Sequence, residues 1–283
     1  MMKSILLVGQ SNMAGRGFIQ DVPGLRHERV KMLRNGRWQM MAEPIHFDRE
    51  VAGVGPAASF AAAWVQAHPD EELGLIPCAE GGSSIDEWAS DEMLMRHAIA
   101  EAKFAQESSE LIGVLWHQGE SDSLKGGYQT YAAKLTAVFS HLRQALGQAD
   151  LPIIVGQLPG FLGQEGFGAS ATEFNDINRE MANVVAQDPH SYLVNAAELT
   201  ANPDGIHIDA ASQRRFGLRY YAAFANQEDV LAVLPDEAAQ LGVLYQRPET
   251  PQEKMYRLSR AFALGQMSYP EFIAQLTGKG TAK

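Results

Sequence analysis

Short apolar runs alternate along the chain with longer stretches in which apolar residues recur every three or four positions. The runs are rich in Ile, Val and Leu, as buried strands are. They are Ile5–Val8, Leu73–Pro77, Ile112–Trp116, Ile153–Val155 and Tyr192–Val194. Helical spacing is found in Pro56–His68, Tyr128–Leu146 and Thr172–Ala186. Because strands that alternate with helices of this length form βαβ crossovers, the pattern predicts a three-layer α/β/α fold around a mainly parallel five-stranded sheet.

Two regions depart from this alternation. Residues 30–33 and 38–41 flank the dipeptide Asn35-Gly36, which favours a β-hairpin inserted between the first and second parallel strands. From about Gln227 onward the strand patterns stop, and Thr250-Pro251-Gln252-Glu253 combines a capping box with proline at the first helical position. We therefore predict an α/β domain over residues 1–227 and a helical C-terminal extension over residues 228–283, which packs on the domain or mediates a homo-oligomer.

The composition of the 283 residues narrows the classes of partner. An apolar fraction of 46% and a charged fraction of 20% are those of an ordinary globular protein. The 34 Asp and Glu outnumber the 23 Lys and Arg, which gives a net charge of −11. This balance argues against nucleic acid as a partner, since a phosphate backbone attracts a basic face. It also provides no attraction to an anionic membrane surface.

Cysteine usage and the first residues give two further expectations. Cys78 is the only cysteine, so the chain forms no internal disulfide and holds no thiolate metal cluster, and its place at a strand end indicates buried packing. The first apolar run is too short for the core of a signal peptide, and no apolar stretch is long enough to cross a membrane. We therefore expect a cytoplasmic protein.

Polar segments follow three of the predicted strands, at the carboxyl edge where open parallel sheets place their sites. These segments are Gly9–Met13, Glu80–Ile85 and His117–Glu120. A fourth, Asp204–His207, precedes an amphipathic helix. Because the topology of a sheet brings such strand ends together, we expect the four segments to meet in one site.

Three residues of these segments have the side chains that nucleophilic catalysis needs. A serine hydroxyl is a weak nucleophile unless an imidazole accepts its proton, and that imidazole needs an acceptor on its other nitrogen. Ser11 stands at a strand end, and Asp204 and His207 are close together on one loop. Taken singly, each has a structural explanation, such as a helix cap for the serine or a surface position for the histidine. Their joint occurrence at strand ends favours catalysis.

The same segments supply hydrogen-bond donors for an oxyanion hole. The backbone N–H of Ser11, that of Gly81 or Gly82 and the side-chain amide of Gln118 could stabilise the charge of a transition state, each typically by about 3 kcal/mol. Alone, the two glycines indicate only a turn, and Gln118 could satisfy backbone groups of its loop. Which of the two glycines donates stays open.

In this order the segments resemble the signature blocks of the SGNH (GDSL-like) hydrolases, and among these the branch of sialate O-acetylesterases and acetylxylan esterase-like carbohydrate esterases. The similarity extends over about residues 3–225. It is carried by Gly9-Gln10-Ser11-Asn12-Met13, Gly81-Gly82-Ser83-Ser84-Ile85, Trp116-His117-Gln118-Gly119-Glu120-Ser121 and Asp204-Gly205-Ile206-His207. Gly-Gln-Ser-Asn-Met together with Gln-Gly-Glu is a fairly specific pair.

The resemblance implies a flavodoxin-like fold and a serine esterase that hydrolyses short-chain esters, mainly acetyl, on sugars such as sialic acid or xylan-type carbohydrate. Ser11 would be the nucleophile, His207 the base and Asp204 the acid that orients it. The oxyanion hole would consist of the donors named above. The partner would be a small-molecule or oligosaccharide ester, and no metal or organic cofactor would be needed.

Two blocks differ from the general superfamily pattern. Gly-Gln-Ser stands where many members have Gly-Asp-Ser, and Gln-Gly-Glu stands where many have Gly-x-Asn-Asp. Both differences agree with the carbohydrate-esterase branch, but they leave open which side chain of the third block binds the oxyanion. Glu120 is a carboxylate and cannot donate, so we favour Gln118. Gln10, Asn12 and Glu120 are expected to support the site or to contact substrate.

Other enzyme classes fit the sequence less well. The Gly-x-Ser-x-Gly elbow of α/β-hydrolases is absent, because Met13 occupies its last position. The glycines of residues 9–17 form neither a dinucleotide fingerprint nor a P-loop. The His-x-Asp pairs at residues 46–48 and 207–209 lack the spacing of a known metal-ligand pattern, so we interpret them as polar loop residues.

One alternative from another functional class remains, a non-catalytic carbohydrate-binding protein on the same fold. Trp38, Trp88 and Phe161 could stack on sugar faces in such a protein, although core or hairpin packing also explains them. Whether Ser11 reacts distinguishes the two functions.

Overall fold

The computed structural model describes residues 1–278, and its centre is a sheet of seven strands. The strands are β1 (Met2–Gly9), β2 (Val30–Arg34), β3 (Arg37–Met40), β4 (Leu73–Pro77), β5 (Ser109–His117), β6 (Ile153–Gly156) and β7 (Ser191–Val194). Their order across the sheet is β3-β2-β4-β1-β5-β6-β7. All neighbouring strands are parallel except β2 and β3.

The predicted five-stranded sheet is wrong in its number of strands. The five apolar runs form the strands β1, β4, β5, β6 and β7, and the Asn-Gly hairpin forms β2 and β3. The hairpin does not stand apart from the sheet, because β2 pairs in parallel with β4, with Val30 opposite Leu73. This pairing buries Val30 and Met32 and covers an edge of β4 whose backbone groups would otherwise lack partners.

Helices cover both faces of the sheet. They are α1 (Ser11–Ala14), α2 (Ala57–Ala67), α3 (Met93–Gln106), α4 (Tyr128–Leu146), α5 (Phe174–Val185), α6 (Ala210–Asn226), α7 (Glu237–Gln246), α8 (Pro251–Ala263) and α9 (Tyr269–Thr277). Alternate side chains of a strand point to opposite faces. Leu6 of β1 therefore lies in a core with α3, α4 and α5, whereas Leu7 lies in a second core with α2 and α6. The predicted three-layer α/β/α architecture is confirmed.

The C-terminal helices α7 and α8 follow the α/β layers and are tied to them by buried charges. Arg219 of α6 pairs with Glu237 of α7 at 2.6 Å. Glu253 of α8 is fully buried and accepts the backbone N–H of Glu28 at 2.8 Å. Because a buried charge needs partners, these contacts fix the helices to the domain. The boundary after residue 227 and a role in a homo-oligomer stay predictions.

Among residues 1–278, no helix combines the length and the apolar character that a membrane crossing requires.

Burial of His46 predicts a loss of stability in acid. The residue is 2% exposed, and burial lowers its pKa from 6.5 to about 4, against the opposing effect of Asp48. Between these two values the unfolded chain binds a proton that the folded chain does not. The free energy of unfolding should therefore fall as the pH drops from 8 to 5, by about 2 kcal/mol from this group. Urea denaturation at the two pH values measures the fall.

Two variants separate His46 from other acid-sensitive groups. His46→Asn should remove about 2 kcal/mol of the fall, since it removes the titrating ring. His97→Asn replaces an exposed ring on α3, and its free energy of unfolding should depend on pH as that of the natural protein does. An unchanged dependence on pH in His46→Asn would contradict the assignment.

Candidate active site

Ser11 lies where the ends of β1 and β5 come into contact. The approach requires glycine at position 9, because a Cβ there would lie 2.0 Å from the carbonyl oxygen of His117. Gln10 donates its N–H to that oxygen at 2.8 Å, and Ser11, 5% exposed, begins the one-turn helix α1. The N–H of the first helical residue has no intrahelical partner. Within residues 1–278 the N–H of Ser11 makes no hydrogen bond, so it is available to a ligand.

Asp204 and His207 form a hydrogen-bonded pair on the loop before α6. Asp204 Oδ2 lies 2.8 Å from His207 Nδ1, and Oδ1 accepts the backbone N–H groups of Ile206 at 3.1 Å and His207 at 3.0 Å. Burial would raise the pKa of Asp204, but these hydrogen bonds outweigh it, and the pKa lies below its ordinary value. The carboxylate is therefore ionised near neutral pH, and with Nδ1–H donated to it, Nε2 of the neutral ring is the free base.

Asn12 bonds the segment of Ser11 to the segment of His207. Its Nδ2 donates to the carbonyl oxygen of Ile206 at 3.2 Å, and its Oδ1 accepts the N–H of Ile208 at 2.9 Å. These two residues flank His207 on either side. The side chain next to Ser11 therefore holds both neighbours of the imidazole, and two chain-distant loops meet as the sheet topology predicted.

Glu120 supports Asn12 from behind. It is 2% exposed, and its Oε1 accepts Asn12 Nδ2 at 2.6 Å and lies 3.1 Å from His117 Nε2. Burial would raise the pKa of Glu120, but the nearby His117 and the hydrogen bonds from both partners lower it below the ordinary value. Glu120 is therefore an ionised acceptor that orients Asn12.

Gln118 is fully buried and engaged with the protein itself. Its Nε2 lies 2.5 Å from Asp122 Oδ2, 3.1 Å from the carbonyl oxygen of Ser83 and 3.3 Å from Gln10 Oε1. The same side-chain oxygen, Gln10 Oε1, also accepts the N–H of Gly119 at 3.2 Å. In this arrangement Gln118 and Gln10 hold the turn after β4 to the ends of β1 and β5, and a role of Gln118 in binding an oxyanion stays a prediction.

The two glycines of the turn after β4 differ in what their N–H groups bind. Gly81 donates to Asp48 Oδ2 at 2.9 Å. Gly82 has a φ of +81°, is exposed, and its N–H has no hydrogen-bond partner among the described residues. Of the two amides, that of Gly82 is the one available to a ligand.

A buried ion pair that the sequence did not reveal lies behind this turn. Arg16 pairs with Asp48 at 2.5 Å, and their side chains are only 6% and 3% exposed. Since Asp48 also binds the N–H of Gly81, the pair fixes the turn. Sequence analysis treated Asp48 as an ordinary polar loop residue, and no local pattern distinguishes a buried Arg–Asp pair from surface charges. The same holds for Asp122, whose carboxylate accepts Gln118 and the N–H of Ile85.

The residues considered for other roles lie elsewhere in the fold. Trp88 is fully buried and donates to Ser83 Oγ at 3.0 Å, and Trp38 on β3 donates to Ser108 Oγ at 2.9 Å. Cys78 is buried, and burial raises the pKa of its thiol. Over residues 1–278, no group of three or more His, Cys, Asp and Glu side chains is arranged to hold a metal ion.

The fold and these loops agree with the class of protein that the sequence resembles. A three-layer α/β/α fold with a mainly parallel sheet, and with polar loops at the ends of β1, β4 and β5, is what the resemblance to SGNH-type hydrolases predicts. The profile of a family described as SASA, carbohydrate esterase, sialic acid-specific acetylesterase, matches residues 2–226. The chain belongs to this family of carbohydrate esterases and is thus a carboxylic ester hydrolase, which confirms the resemblance found in the sequence.

Individual proteins are similar over most of the chain. A probable carbohydrate esterase from Arabidopsis thaliana is 30% identical over 241 residues, which cover 77% of this chain and 88% of that protein. An X-ray structure of an A. thaliana protein has a TM-score of 0.71 at 25% identity and covers 79% of this chain and 98% of that one. The crystal structure of NanS shares the fold, with a TM-score of 0.65 at 16% identity over 80% of this chain and 97% of that one. The crystal structure of a carbohydrate acetylesterase from Xanthomonas citri also shares the fold. Its TM-score is 0.57 at 18% identity, and the match covers 78% of this chain and 55% of that one.

Proposed function

We propose that the protein is a serine O-acetylesterase that cleaves acetyl or other short-chain esters on carbohydrate, such as sialic acid or xylan-type sugars. Ser11 is the nucleophile, His207 its general base and Asp204 the carboxylate that orients the base. The proposal is carried by the 2.8 Å contact between Asp204 Oδ2 and His207 Nδ1, on a loop that Asn12 bonds to the segment of Ser11. Membership in a carbohydrate esterase family supports the substrate class.

The reaction proceeds through an acyl-enzyme. Ser11 Oγ attacks the ester carbon while its proton passes to His207 Nε2, and His207 then protonates the sugar oxygen as the C–O bond breaks. A water molecule gives its proton to the same imidazole and attacks the acyl carbon. His207 then returns this proton to Ser11 Oγ as the C–Oγ bond breaks, which releases the carboxylic acid and regenerates free Ser11. Because the pKa of Asp204 lies below its ordinary value, its carboxylate stays ionised and stabilises the imidazolium in both steps.

Two backbone amides are proposed to bind the negative charge that develops on the carbonyl oxygen. The N–H groups of Ser11 and Gly82 have no partner among the described residues, whereas that of Gly81 is bound by Asp48. Gln118 stays the predicted third donor, although its Nε2 would first have to release an acceptor that it already binds. Each free donor is worth about 3 kcal/mol to the transition state.

Labelling with a fluorophosphonate tests the nucleophile directly. The reagent phosphonylates a serine only where a base activates it, so peptide mapping should find the label on Ser11. Asn12→Ala frees the His207 loop and should slow labelling, because misplacing the base by about 1 Å costs about 10²-fold. Asn183→Ala, which alters an exposed residue of α5, should react at the rate of the natural protein. A label on another residue, or none, would refute the proposed function.

A further inference from the structure

A cleft of about 850 Å³ lies beside His207 and Asp204. Three separate loops each present an exposed apolar side chain to it: Phe18 is 47% exposed, Val51 71% and Phe167 77%. Apolar side chains that remain exposed around a concave surface are typical of ligand-binding grooves. In the proposed reaction His207 protonates the departing oxygen, so the alcohol half of the ester must lie on the side of His207, where this cleft opens.

Phe167 is fixed to the loop of Asp204 by close backbone contacts. Its N–H donates to the carbonyl oxygen of Asp204 at 2.8 Å. A Cβ at position 166 would lie 2.1 Å from that oxygen, and one at position 168 would lie 2.0 Å from the carbonyl oxygen of Gly205. Only glycines allow this approach, so the backbone that carries the Phe167 ring is held against the loop of the catalytic pair.

The charges around the cleft do not suit an anionic sugar. Arg16 is the only Lys or Arg of its described lining, and the buried carboxylate of Asp48 neutralises it at 2.5 Å. Asp204 adds a negative charge to the same wall. An alcohol that carries a carboxylate, as sialic acid does, would find no free cation here and would be repelled, whereas a neutral sugar would not.

The C-terminal extension contributes a polar group to the cleft. Gln266, which follows the end of α8 at Ala263, belongs to its lining. The helix is held by buried Glu253 and by Arg260, whose guanidinium donates to the carbonyl oxygen of Glu43 at 3.0 Å. The extension lies beyond residues 2–226, where the family profile matches. Gln266 therefore lines the cleft from a part of the chain that lies outside the matched residues.

We propose that this cleft is the subsite for the alcohol half of the ester and that it selects a neutral pyranoside. This rests on the esterase function proposed above. The rings of Phe18 and Phe167 pack against the C–H face of a pyranose, and the side-chain amide of Gln266 hydrogen-bonds its hydroxyl groups. The extension thus acts in substrate selection.

Steady-state kinetics on three acetyl esters test the subsite. These are an acetylated xylo-oligosaccharide, O-acetylated sialic acid and ethyl acetate, whose alcohol is too small to reach the aromatic rings. The natural protein should favour the xylo-oligosaccharide over the sialic acid ester by about tenfold or more in kcat/KM. Phe167→Ala and Gln266→Ala should each lower the ratio of kcat/KM for the xylo-oligosaccharide to that for ethyl acetate about tenfold, mainly through KM.

A variant that lacks an exposed aromatic ring elsewhere on the protein is the control for the cleft variants. Phe104→Ala removes a 44% exposed ring from α3, outside the cleft, and should leave the ratio as it is. A preference for the sialic acid ester, no turnover of the xylo-oligosaccharide, or unchanged ratios in both cleft variants would overturn the subsite, even while ethyl acetate is hydrolysed and Ser11 is labelled. No turnover of any ester together with no label on Ser11 would overturn the esterase function as well.

Discussion

Ser11→Ala is expected to lower kcat/KM for an acetylated sugar by about 10⁴-fold or more, because no acyl-enzyme can form without its hydroxyl. The loss should appear in kcat, since the cleft that binds the alcohol is untouched. The residue is small and 5% exposed, so removal of one oxygen leaves the packing of α1 in place. Release of acetate, followed at saturating substrate, measures the effect.

A second serine provides the comparison for this variant. Ser140→Ala replaces an exposed serine on α4 and should keep the kinetic constants of the natural protein. Far-UV circular dichroism and the thermal midpoint show whether both variants retain the fold. A folded Ser11→Ala variant that keeps wild-type turnover would remove Ser11 from the mechanism.

Arg214→Met is expected to lower the free energy of unfolding by about 3–5 kcal/mol, because it leaves the buried carboxylate of Glu43 without its partner. The two side chains form a bidentate pair, with Nη–Oε distances of 2.6 and 2.5 Å, and are 0% and 5% exposed. Arg214 stands on α6, and Glu43 follows the β2–β3 hairpin. The pair therefore joins two segments far apart in the chain, and urea denaturation measures its loss.

Two further variants distinguish a stranded charge from a general effect of substitution. The double variant Arg214→Met, Glu43→Leu removes both charges and should recover most of the lost stability. Arg179→Met breaks an exposed pair with Asp176 on α5 and should leave stability unchanged. If the double variant is as unstable as Arg214→Met, the loss comes from packing and not from the unpaired carboxylate.

Local patterns were sufficient for most of the fold. The five strands predicted from apolar runs, the Asn-Gly hairpin and the start of α8 are where the sequence predicted them. Thr250 Oγ1 accepts the N–H of Glu253 as the capping box requires. Each of these features depends on residues within a few positions of one another. The number of strands was wrong because the pairing of β2 with β4 depends on contacts between Val30 and Leu73, which no local pattern contains.

In the candidate site, too, some features follow from local sequence patterns and others only from tertiary contacts. The sequence by itself determined which segments end at the carboxyl edge of the sheet, and hence that Ser11 and the loop of Asp204 and His207 belong to one region. Only the tertiary structure decided that Asp48 binds the N–H of Gly81, that Gln118 is turned towards the protein, and that Gln266 reaches the cleft. The reason is physical: strand periodicity acts over neighbouring residues, whereas the partner of a buried polar group is set by whichever distant segment packs against it.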